Sequence, residues 1–497
     1  MAHAQVPQPE LLWMRSIGGS ASESISSWVH PTPDGGFITR IESTSPAGTG
    51  NIDSFCSPVE RRMIFTKFNN DATVAEWSNC FGTQGDSFLL FLYSQADGSY
   101  ILLGDFKGSG ALIKKYNPAG GEVWQKNYSK GNAGKLYSAL PVADGGYILL
   151  CSRHYTDTNV LVHYGSWETG DYWLAKLDSN GNKVWSKVIG GADEEDRGML
   201  VQGEGRNYYI VGITSSNDND CIGNHGGADI FVARCNDTGG VIWKKCLGGS
   251  DNETAVVGCR NANGGIIICG STKSTDGDVH HHIGGEDYWL CALDSNGVFE
   301  WDNCFGTTEN NEQPQAVCLG SDGTIWANGQ SFTPNRDVYL VHTSSSGGLL
   351  HQRVLQSTYE DEGQMLFPIS GGKTLVGGYS VNLNGDFSAI PYRGAWDVFL
   401  AVFAPWDAGI DDMATKELYH IFPNPTRGEL TIETKETSVS HRVTLTDVFG
   451  RVVMRGFIQK GVSKTSLYTG SLPQGIYNVS VVTEQGNVFH KMIVAGN

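Results

Sequence analysis

Acidic side chains recur at or just before the start of apolar strands in this chain, at one position of a repeated pattern. Carboxylate oxygens are the ligands that Ca²⁺ prefers. If the repeats form a ring, their first strands line a central channel, so the carboxylates would meet at one mouth and bind a cation. Alternatively, each carboxylate caps a turn and is copied because the repeat is copied. The series is Glu23, Asp86, Glu195, Glu253, Glu312 and Glu362, and the predicted Ca²⁺ ligands are Glu195, Glu253 and Glu312.

Two loops combine imidazole and carboxylate groups, which suit transition metals. Three consecutive histidines cannot all face one ion in an extended loop, so an exposed polar loop is the alternative. The residues are Asp276, Asp278, His280, His281 and His282 in one loop, and Asp218, Asp220 and His225 in its counterpart.

Signs of catalysis are weaker. The chain has no G-x-S-x-G elbow, and Ser321-Asp322-Gly323 lacks the spacing of a sialidase box. Carboxylates are plentiful, so a glycosidase pair stays open. Aromatic side chains in variable loops could stack on sugars, anchor a protein partner, or pack on their own repeat. These aromatic residues are Tyr155, Tyr164, Trp167, Tyr392 and Trp396.

A repeated hairpin must position these groups. Its clearest copy, Asp171 to Trp185, contains an apolar run, an Asn180-Gly181 pair that predicts a two-residue turn, and a closing tryptophan. The equivalent tryptophans are Trp77, Trp124, Trp185, Trp243 and Trp301, with spacings of 47, 61, 58 and 58 residues. A period of this size in a Gly-rich β pattern indicates a repeat architecture.

Each repeat contains four strand patterns, the content of a propeller blade, and the repeats number seven. The last one lacks its fourth strand, while an orphan strand lies at the N-terminus. We therefore predict an all-β, seven-bladed β-propeller over residues 5–409, in which Leu11–Ile17 closes the last blade beside Asp397–Phe403 and removes two sheet edges.

Composition restricts the partners. The net charge is −18 and the pI about 5.1, which argues against nucleic acid and anionic membranes. No apolar run is long enough to span a membrane, and we expect a monomer. Ala2-His3-Ala4 has the form of a signal cleavage site, so residues 1–4 are either a signal-peptide remnant or a chance match.

The eleven cysteines include Cys80, Cys246 and Cys304 at equivalent positions, which predicts small buried apolar groups.

A different β pattern follows a linker at 410–415. Residues 416–497 contain strands of a small Ig-like antiparallel sandwich, with Val443, Leu445, Val452, Tyr477, Val479 and Val481 facing inward. Four motif blocks stand in order along it. Their residues are Pro423, Asn424, Pro425, Leu445, Asp447, Gly450, Arg451, Leu472, Pro473, Gly475, Tyr477 and Lys491.

These blocks resemble the type A C-terminal sorting domain of the type IX secretion system. The resemblance implies partners in the type IX translocon and a sortase, transit through the periplasm and outer membrane, and release or attachment at the cell surface. The alternative is a generic Ig-like module that only binds or spaces.

The hairpins are similar to two other groups of proteins. They resemble the tryptophan-docking repeats of quinoprotein-type propellers, matching A-x-D-x-x-G-x-x-x-W at Ala292, Asp294, Gly297 and Trp301. This resemblance implies that the tryptophan packs on the neighbouring blade. The repeats also resemble those of secreted Bacteroidetes proteins. No quinone-binding constellation accompanies them here.

The main functional hypothesis is a secreted or surface-attached protein that binds a protein or glycan and is not an enzyme. The second is a hydrolase of glycans or peptides that uses carboxylates at the channel mouth. A raised pKa on one member of a carboxylate pair in a pocket would favour the hydrolase, whereas a shallow aromatic rim would favour binding.

Overall fold

The computed structural model describes most of residues 10–405 and 419–495. The residues it leaves undescribed are 1–9, 33, 47–48, 50–61, 83–86, 96, 107–109, 118–120, 129–134, 154–162, 167, 309, 334, 382–383, 406–418, 424–425, 427, 436, 448–451, 473–474, 484–487 and 496–497. The chain divides into two compact units, Met1–Pro405 and Trp406–Asn497. No helix in the described part could span a membrane.

The described part of the first unit is a β-propeller of seven four-stranded antiparallel sheets, one for each sequence repeat. Blade 1 contains β2 (Glu23–Pro31), β3 (Phe37–Ser43), β4 (Arg62–Phe68) and β5 (Ala75–Gly82). Blade 2 contains β6 (Ser87–Ser94), β7 (Tyr100–Phe106), β8 (Gly110–Tyr116) and β9 (Glu122–Asn127). Blade 3 contains β10 (Leu136–Pro141), β11 (Tyr147–Arg153), β12 (Asp171–Leu177) and β13 (Lys183–Ile189). Blade 4 contains β14 (Glu195–Gln202), β15 (Tyr208–Thr214), β16 (Asp229–Cys235) and β17 (Val241–Leu247).

The remaining blades follow the same order. Blade 5 contains β18 (Glu253–Arg260), β19 (Ile266–Thr272), β20 (Asp287–Leu293) and β21 (Phe299–Phe305). Blade 6 contains β22 (Glu312–Leu319), β23 (Ile325–Thr333), β24 (Asn335–Thr343) and β25 (Leu349–Leu355). Blade 7 contains β26 (Asp361–Pro368), β27 (Thr374–Ser380), β28 (Asp397–Phe403) and the N-terminal β1 (Leu11–Ile17). Two short 3₁₀ helices lie at Ser370–Gly372 and Gly385–Phe387.

The predicted closure is confirmed. Strand β1 pairs antiparallel with β28, with Met14 opposite Ala401 and Ile17 opposite Val398. The first strand of blade 7, β26, in turn contacts β2 of blade 1. The ring is therefore closed within a blade by hydrogen bonds between the two ends of the repeat region, which leaves no exposed edge at the joint.

The third strands form the core because they are packed between neighbouring blades on both faces. Strands β12, β20 and β28 are buried at every residue. Their apolar runs are nearly continuous, with Lys176 the interruption in β12, as expected for strands covered on both sides. Cys246 and Cys304 are buried free thiols, as predicted, while the side chain of Cys80 lies outside the described part.

Tryptophans on the fourth strands fasten several blades to the next one, as the propeller resemblance implies. The Trp243 indole N–H donates to the Ser295 carbonyl of blade 5 at 3.0 Å, and a Cβ added to Gly297 would lie 2.8 Å from the Trp243 ring. Trp185 does the same with the Asp237 carbonyl and Gly239 of blade 4. Glycine is required at these turns because φ is positive and the indole lies directly against it.

Replacing the anchor Trp243→Ala is expected to destabilise the propeller unit by about 3 kcal/mol, since the variant loses buried ring contacts and an interblade hydrogen bond. Ile242→Ala on the same strand is the matched control. Ile242 is 49% exposed, so its free energy of unfolding should change by less than about 0.5 kcal/mol. Denaturant unfolding measures both, and equal losses in the two variants would contradict the docking role.

The hairpin turn differs from the prediction. Residues 178–182 form a longer turn in which the Gly181 N–H donates to the Asp178 carbonyl, and the strand register shifts between Lys176 and Leu177. Gly181 alone has positive φ there, so a two-residue Asn-Gly turn is wrong. The cause is the Asp178 side chain, whose Oδ1 accepts the N–H groups of Asn180 and Asn182 and stabilises the wider turn.

The second unit is a two-sheet sandwich in the described residues. One sheet contains β29 (Tyr419–Phe422), β30 (Glu429–Thr434) and β33 (Lys464–Tyr468); the other contains β31 (His441–Asp447), β32 (Val452–Ile458), β34 (Gly475–Thr483) and β35 (Val488–Ala495). A 3₁₀ helix lies at Thr469–Ser471. The predicted inward residues Val443, Leu445, Tyr477, Val479 and Val481 are all in its core, while the side chain of Val452 lies outside the described part.

Candidate functional site

A groove between blades 3 and 4 has a volume of about 430 Å³ and is lined by side chains of the described residues. It lies at the turn face, the end of the ring that carries the tight turns between first and second and between third and fourth strands. Its volume falls in the range of small-ligand pockets. Its polar lining includes Asp144, Lys176, Gln202, Arg206, Asp237 and Arg260.

Turns and strand ends from three blades position these side chains. Asp144 comes from the turn between β10 and β11, and Lys176 from β12, and their Nζ–Oδ2 distance is 2.5 Å. The hydrogen bond from Lys176 holds the pKa of Asp144 below its usual value. Across the groove, Arg206 Nη1 lies 3.2 Å from Asp237 Oδ2. Arg260 is contributed by the end of β18 in blade 5.

The groove lining carries a net charge of +1 in an acidic protein. Three cations face two carboxylates, and Arg260 makes no ion pair within the described residues. Guanidinium groups bind carboxylate, sulfate and phosphate through paired N–H donors. The groove can therefore hold a polar ligand that carries negative charge.

A second groove, between blades 1 and 2, shows which features of the first groove recur between other blades. Its volume is about 240 Å³, and it has the same aspartate–lysine pair, Asp34 and Lys67, at 2.5 Å. The pair therefore belongs to the blade pattern. Arg206 and Arg260 have no counterpart in the lining of the smaller groove and distinguish the larger one.

The structure does not bring the predicted Ca²⁺ ligands together. Glu195 accepts the Gly191 N–H at 2.9 Å and the Thr214 hydroxyl at 2.7 Å, both from its own blade or the connection leading into it. Glu253 makes the same contacts with Gly249 and Thr272, and Glu312 bonds the Ser331 hydroxyl. All three are fully buried. These contacts match the capping alternative, and within the described residues no three acidic, His or Cys side chains are grouped for a metal.

The other members of the carboxylate series differ from one another in their contacts. Glu23 caps in the same way, through Gly19 and Ser43, and Asp86 lies outside the described residues. In blade 7 the assignment of Glu362 is wrong by one residue, because Asp361 stands opposite Ser380 in the register that Glu195 and Thr214 occupy in blade 4. Glu362 instead bonds Arg336 Nη1 and the Tyr379 hydroxyl.

The two histidine-containing loops contact each other through His225, whose Nε2 lies 3.9 Å from Asp278 Oδ2. His225 Nδ1 lies 2.8 Å from Asp229 Oδ2, and His280 Nδ1 lies 3.0 Å from Asp302 Oδ1. Asp218 and Asp276 accept backbone N–H groups of the neighbouring connection. The histidines therefore do not converge on one point.

Of the aromatic candidates, Tyr392 is exposed, Tyr164 is partly buried, and Trp396 packs edge-on against Tyr379 with ring centroids 5.0 Å apart. Tyr155 and Trp167 lie outside the described residues. The groove residues Arg206 and Arg260 were missed from the sequence. The repetition of Asp34 and Lys67 at Asp144 and Lys176 was a signal that could have located the interblade grooves.

The sorting-motif residues in the described part of the second unit lie in its core, in its larger sheet or at its surface. Leu445 and Tyr477 are buried, Leu472 packs against them, and Pro423 is exposed. The backbones of Asp447 and Lys491 pair with Tyr477 and Val479 in the larger sheet, and Gly475 begins β34. Asn424, Pro425, Gly450, Arg451 and Pro473 lie outside the described residues.

Comparison with known proteins identifies the second unit. The chain is, by its fold, an all-β propeller followed by a β-sandwich. Residues 420–495 match the family described as "Secretion system C-terminal sorting domain", so the C-terminal unit is a type IX sorting domain. Its presence assigns the chain to type IX secretion, with release or attachment at the cell surface, and makes the secretion machinery its partner.

Among solved structures, similar folds share little sequence. The Neurospora crassa Pan2 WD40 domain is 10% identical, with a TM-score of 0.40 over 76% of this chain and 89% of that one. Puromycin hydrolase is 11% identical, with a TM-score of 0.45 over 99% of this chain; this chain spans only 62% of its length. Drosophila Plexin A in complex with Semaphorin 1b is 9% identical, with a TM-score of 0.42 over 80% and 88%. No curated protein matches.

Proposed function

We propose that this protein is an exported binding protein, released from the cell or attached to its surface, whose propeller holds an acidic glycan or an acidic peptide in the groove between blades 3 and 4. The observation that carries this proposal is the set of three cations, Lys176, Arg206 and Arg260, around a cavity of about 430 Å³. The sorting domain supports the location in which such a ligand would be met.

The arrangement suits binding more than chemistry. The groove is lined by donors and acceptors fixed on turns of a rigid ring, a usual scaffold for recognition. Arg206 has 70% of its side chain exposed, so it can reach a ligand. A chain with a net charge of −18 repels anions over most of its surface, and a local basic groove directs an acidic ligand to one place.

Arg206→Ala with Arg260→Ala should lower affinity for the ligand at least tenfold, because hydrogen bonds to a charged group are worth about 1.5–3 kcal/mol each. The full chain is screened on uronic-acid oligosaccharides, their neutral counterparts and acidic peptides, and hits are measured by calorimetry. Arg197→Ala with Lys273→Ala, which removes two exposed cations outside the groove lining, is the matched control.

Selective loss in the groove variant would support the proposal, and the better-bound class identifies the ligand. Equal affinity in the groove variant and wild type would overturn the groove as the site. The absence of binding to every probe would overturn the acidic-ligand proposal itself.

The hydrolase hypothesis is weaker. Burial raises the pKa of Glu195 to about 7, beside Asp171, which is the property sought in an acid–base pair. However, Glu195 is fully buried and its oxygens bond Gly191 and Thr214, so a substrate has no access to them. The same pairing recurs in blades 5 and 6, which favours a structural role.

A further inference from the structure

Buried carboxyl groups meet in pairs where one blade joins the next. An aspartate that begins the third strand of a blade faces the glutamate that begins the first strand of the following blade. The pairs are Asp171–Glu195, Asp229–Glu253, Asp287–Glu312 and Asp397–Glu23, and every member is almost fully buried. They join blades 3 to 4, 4 to 5, 5 to 6 and 7 to 1.

One glycine lies against both carboxyl groups in three of the pairs. A Cβ built on Gly190 would lie 2.0 Å from Asp171 Oδ1 and 2.5 Å from Glu195 Oε2. For Gly248 the distances are 2.8 Å to Asp229 Oδ1 and 2.1 Å to Glu253 Oε2. For Gly306 they are 2.3 Å to Asp287 Oδ1 and 2.5 Å to Glu312 Oε2. Because both oxygens lie this close to one point, the aspartate Oδ1 and the glutamate Oε2 are less than about 5 Å apart at each of these three joints.

In the first pair, one of the four carboxylate oxygens receives no hydrogen bond from the described residues. Asp171 Oδ2 accepts the Tyr164 N–H at 2.8 Å and contacts His163 Nδ1 at 2.6 Å. Glu195 accepts from Gly191 and Thr214. Asp171 Oδ1 receives no donor from the described residues.

The aspartates of the other three pairs have the same arrangement of hydrogen bonds. Oδ1 of Asp229, Asp287 and Asp397 likewise receives no donor from the described part of the chain. Oδ2 of the same residues accepts the backbone N–H groups of His225, Ile283 and Arg393. Four buried acceptors receive no donor from the described residues, and three of them lie close to a glutamate oxygen. They require a common explanation because buried acceptors without a donor are costly.

One proton shared between the two carboxyl groups of each pair explains these oxygens without a donor. Two ionised carboxylates at this distance in a buried site repel each other strongly, and one proton between them converts repulsion into a short O–H···O⁻ bond. A metal ion fits poorly because the remaining carboxylate oxygens already accept hydrogen bonds and a glycine backbone fills the space beside the pair.

We propose that each of these interblade pairs holds one shared proton on the aspartate Oδ1, and that the pairs make the cohesion of the ring depend on pH, with the blades held more tightly in acid than in alkali. The glutamate stays an acceptor for its turn, and the aspartate donates across the joint. The four pairs act in the same direction because they are copies of one arrangement.

The titration behaviour agrees with this geometry. Burial raises the pKa of Asp171, Asp229, Asp287 and Asp397, and also that of Glu195 (to about 7), Glu253 and Glu312. Because the folded protein binds these protons more tightly than the unfolded chain, the contribution is complete below the ordinary carboxyl range near 4. It is lost as the pH rises towards about 7.

Other titratable or charged groups face the pairs and must be kept apart from them. Those near the pairs are His163, Tyr172, Cys221, His225, Asp278, Cys246, His282, Tyr288, Tyr339, Cys304 and Arg393. Elsewhere, burial lowers the pKa of His30 to about 4, His342 to about 3 and His351 to about 4, so these groups destabilise the fold in acid. Only a variant that changes the pairs alone isolates their effect.

The test compares the full chain with Asp171→Asn, Asp229→Asn and Asp287→Asn combined. The asparagine amide can donate to the glutamate at every pH, while its carbonyl keeps the Oδ2 contacts. The control, Asp193→Asn, Asp251→Asn and Glu360→Gln, replaces the same number of carboxyl groups by amides at exposed sites outside the pairs. Melting temperatures are measured at pH 5 and pH 8.

The fall in melting temperature from pH 5 to pH 8 should be about 5–10 °C smaller in the asparagine variant than in wild type and control. An equal fall in all three proteins would overturn the proposal. Infrared spectroscopy of wild type at pH 6 gives a second readout that does not need the variant. A protonated-carboxyl band is expected there, and its absence would also overturn the proposal.

Discussion

Removing residues 1–19 is expected to destabilise the whole propeller rather than one blade. Strand β1 covers β28, and its Leu11, Trp13, Met14 and Ile17 pack against the two core clusters at the joint. These side chains are half-buried, so the loss is about 4 kcal/mol in total. That is a large part of the 5–15 kcal/mol that holds a typical domain together.

The deletion also exposes an apolar strand edge. Strand β28 is buried at every residue, and without β1 its outer N–H and C=O groups would face solvent. We expect a lower melting temperature of the propeller unit, together with aggregation. Deletion of residues 1–9 leaves β1 in place and is the matched control. An unchanged melting temperature after removal of residues 1–19 would contradict closure by β1.

Truncating the chain after Pro405 is expected to have the second large effect, a loss of export to the cell surface. The chain then lacks the sorting domain at 420–495, so it has no signal for the outer-membrane step and should accumulate in the periplasm, with surface material reduced to background. The propeller unit should remain folded, because its core clusters contain no residue beyond Phe403.

Fractionation of cells that express the full or the truncated chain measures this effect, and the melting temperature of the purified truncated chain is its control. A folded truncated chain that still reaches the surface in normal amounts would contradict the role of the C-terminal unit.

Repeats made much of the fold predictable from sequence. The orphan strand at Leu11–Ile17 matched the missing fourth strand of the last repeat, and the pairing with β28 follows from that pattern alone. The turn at Asn180-Gly181 was not predictable in the same way, because the hydrogen bonds that Asp178 Oδ1 accepts decide its length. The one-residue error at Glu362 has a similar origin, since adjacent acidic residues leave the register open.

The candidate site was less accessible to sequence reasoning. The groove joins Asp144 and Arg260, which are far apart in the chain, and its volume depends on how blades 3 and 4 pack. The acidic series was visible in the sequence, yet its partners were not. The aspartates that begin the third strands read as part of a hairpin pattern, and only the packing of neighbouring blades places Asp171 against Glu195.

Protease accessibility of the full chain on intact cells tests most directly whether the propeller is exported for use outside the cell. Two strains are compared, one with a working type IX translocon and one without it. In the competent strain we expect the protein at the cell surface, where its exposed loops are cleaved, or released into the medium. In the deficient strain we expect it to stay inside the cells, fully protected. Equal cleavage in both strains, or protection in both, would contradict type IX display of the propeller.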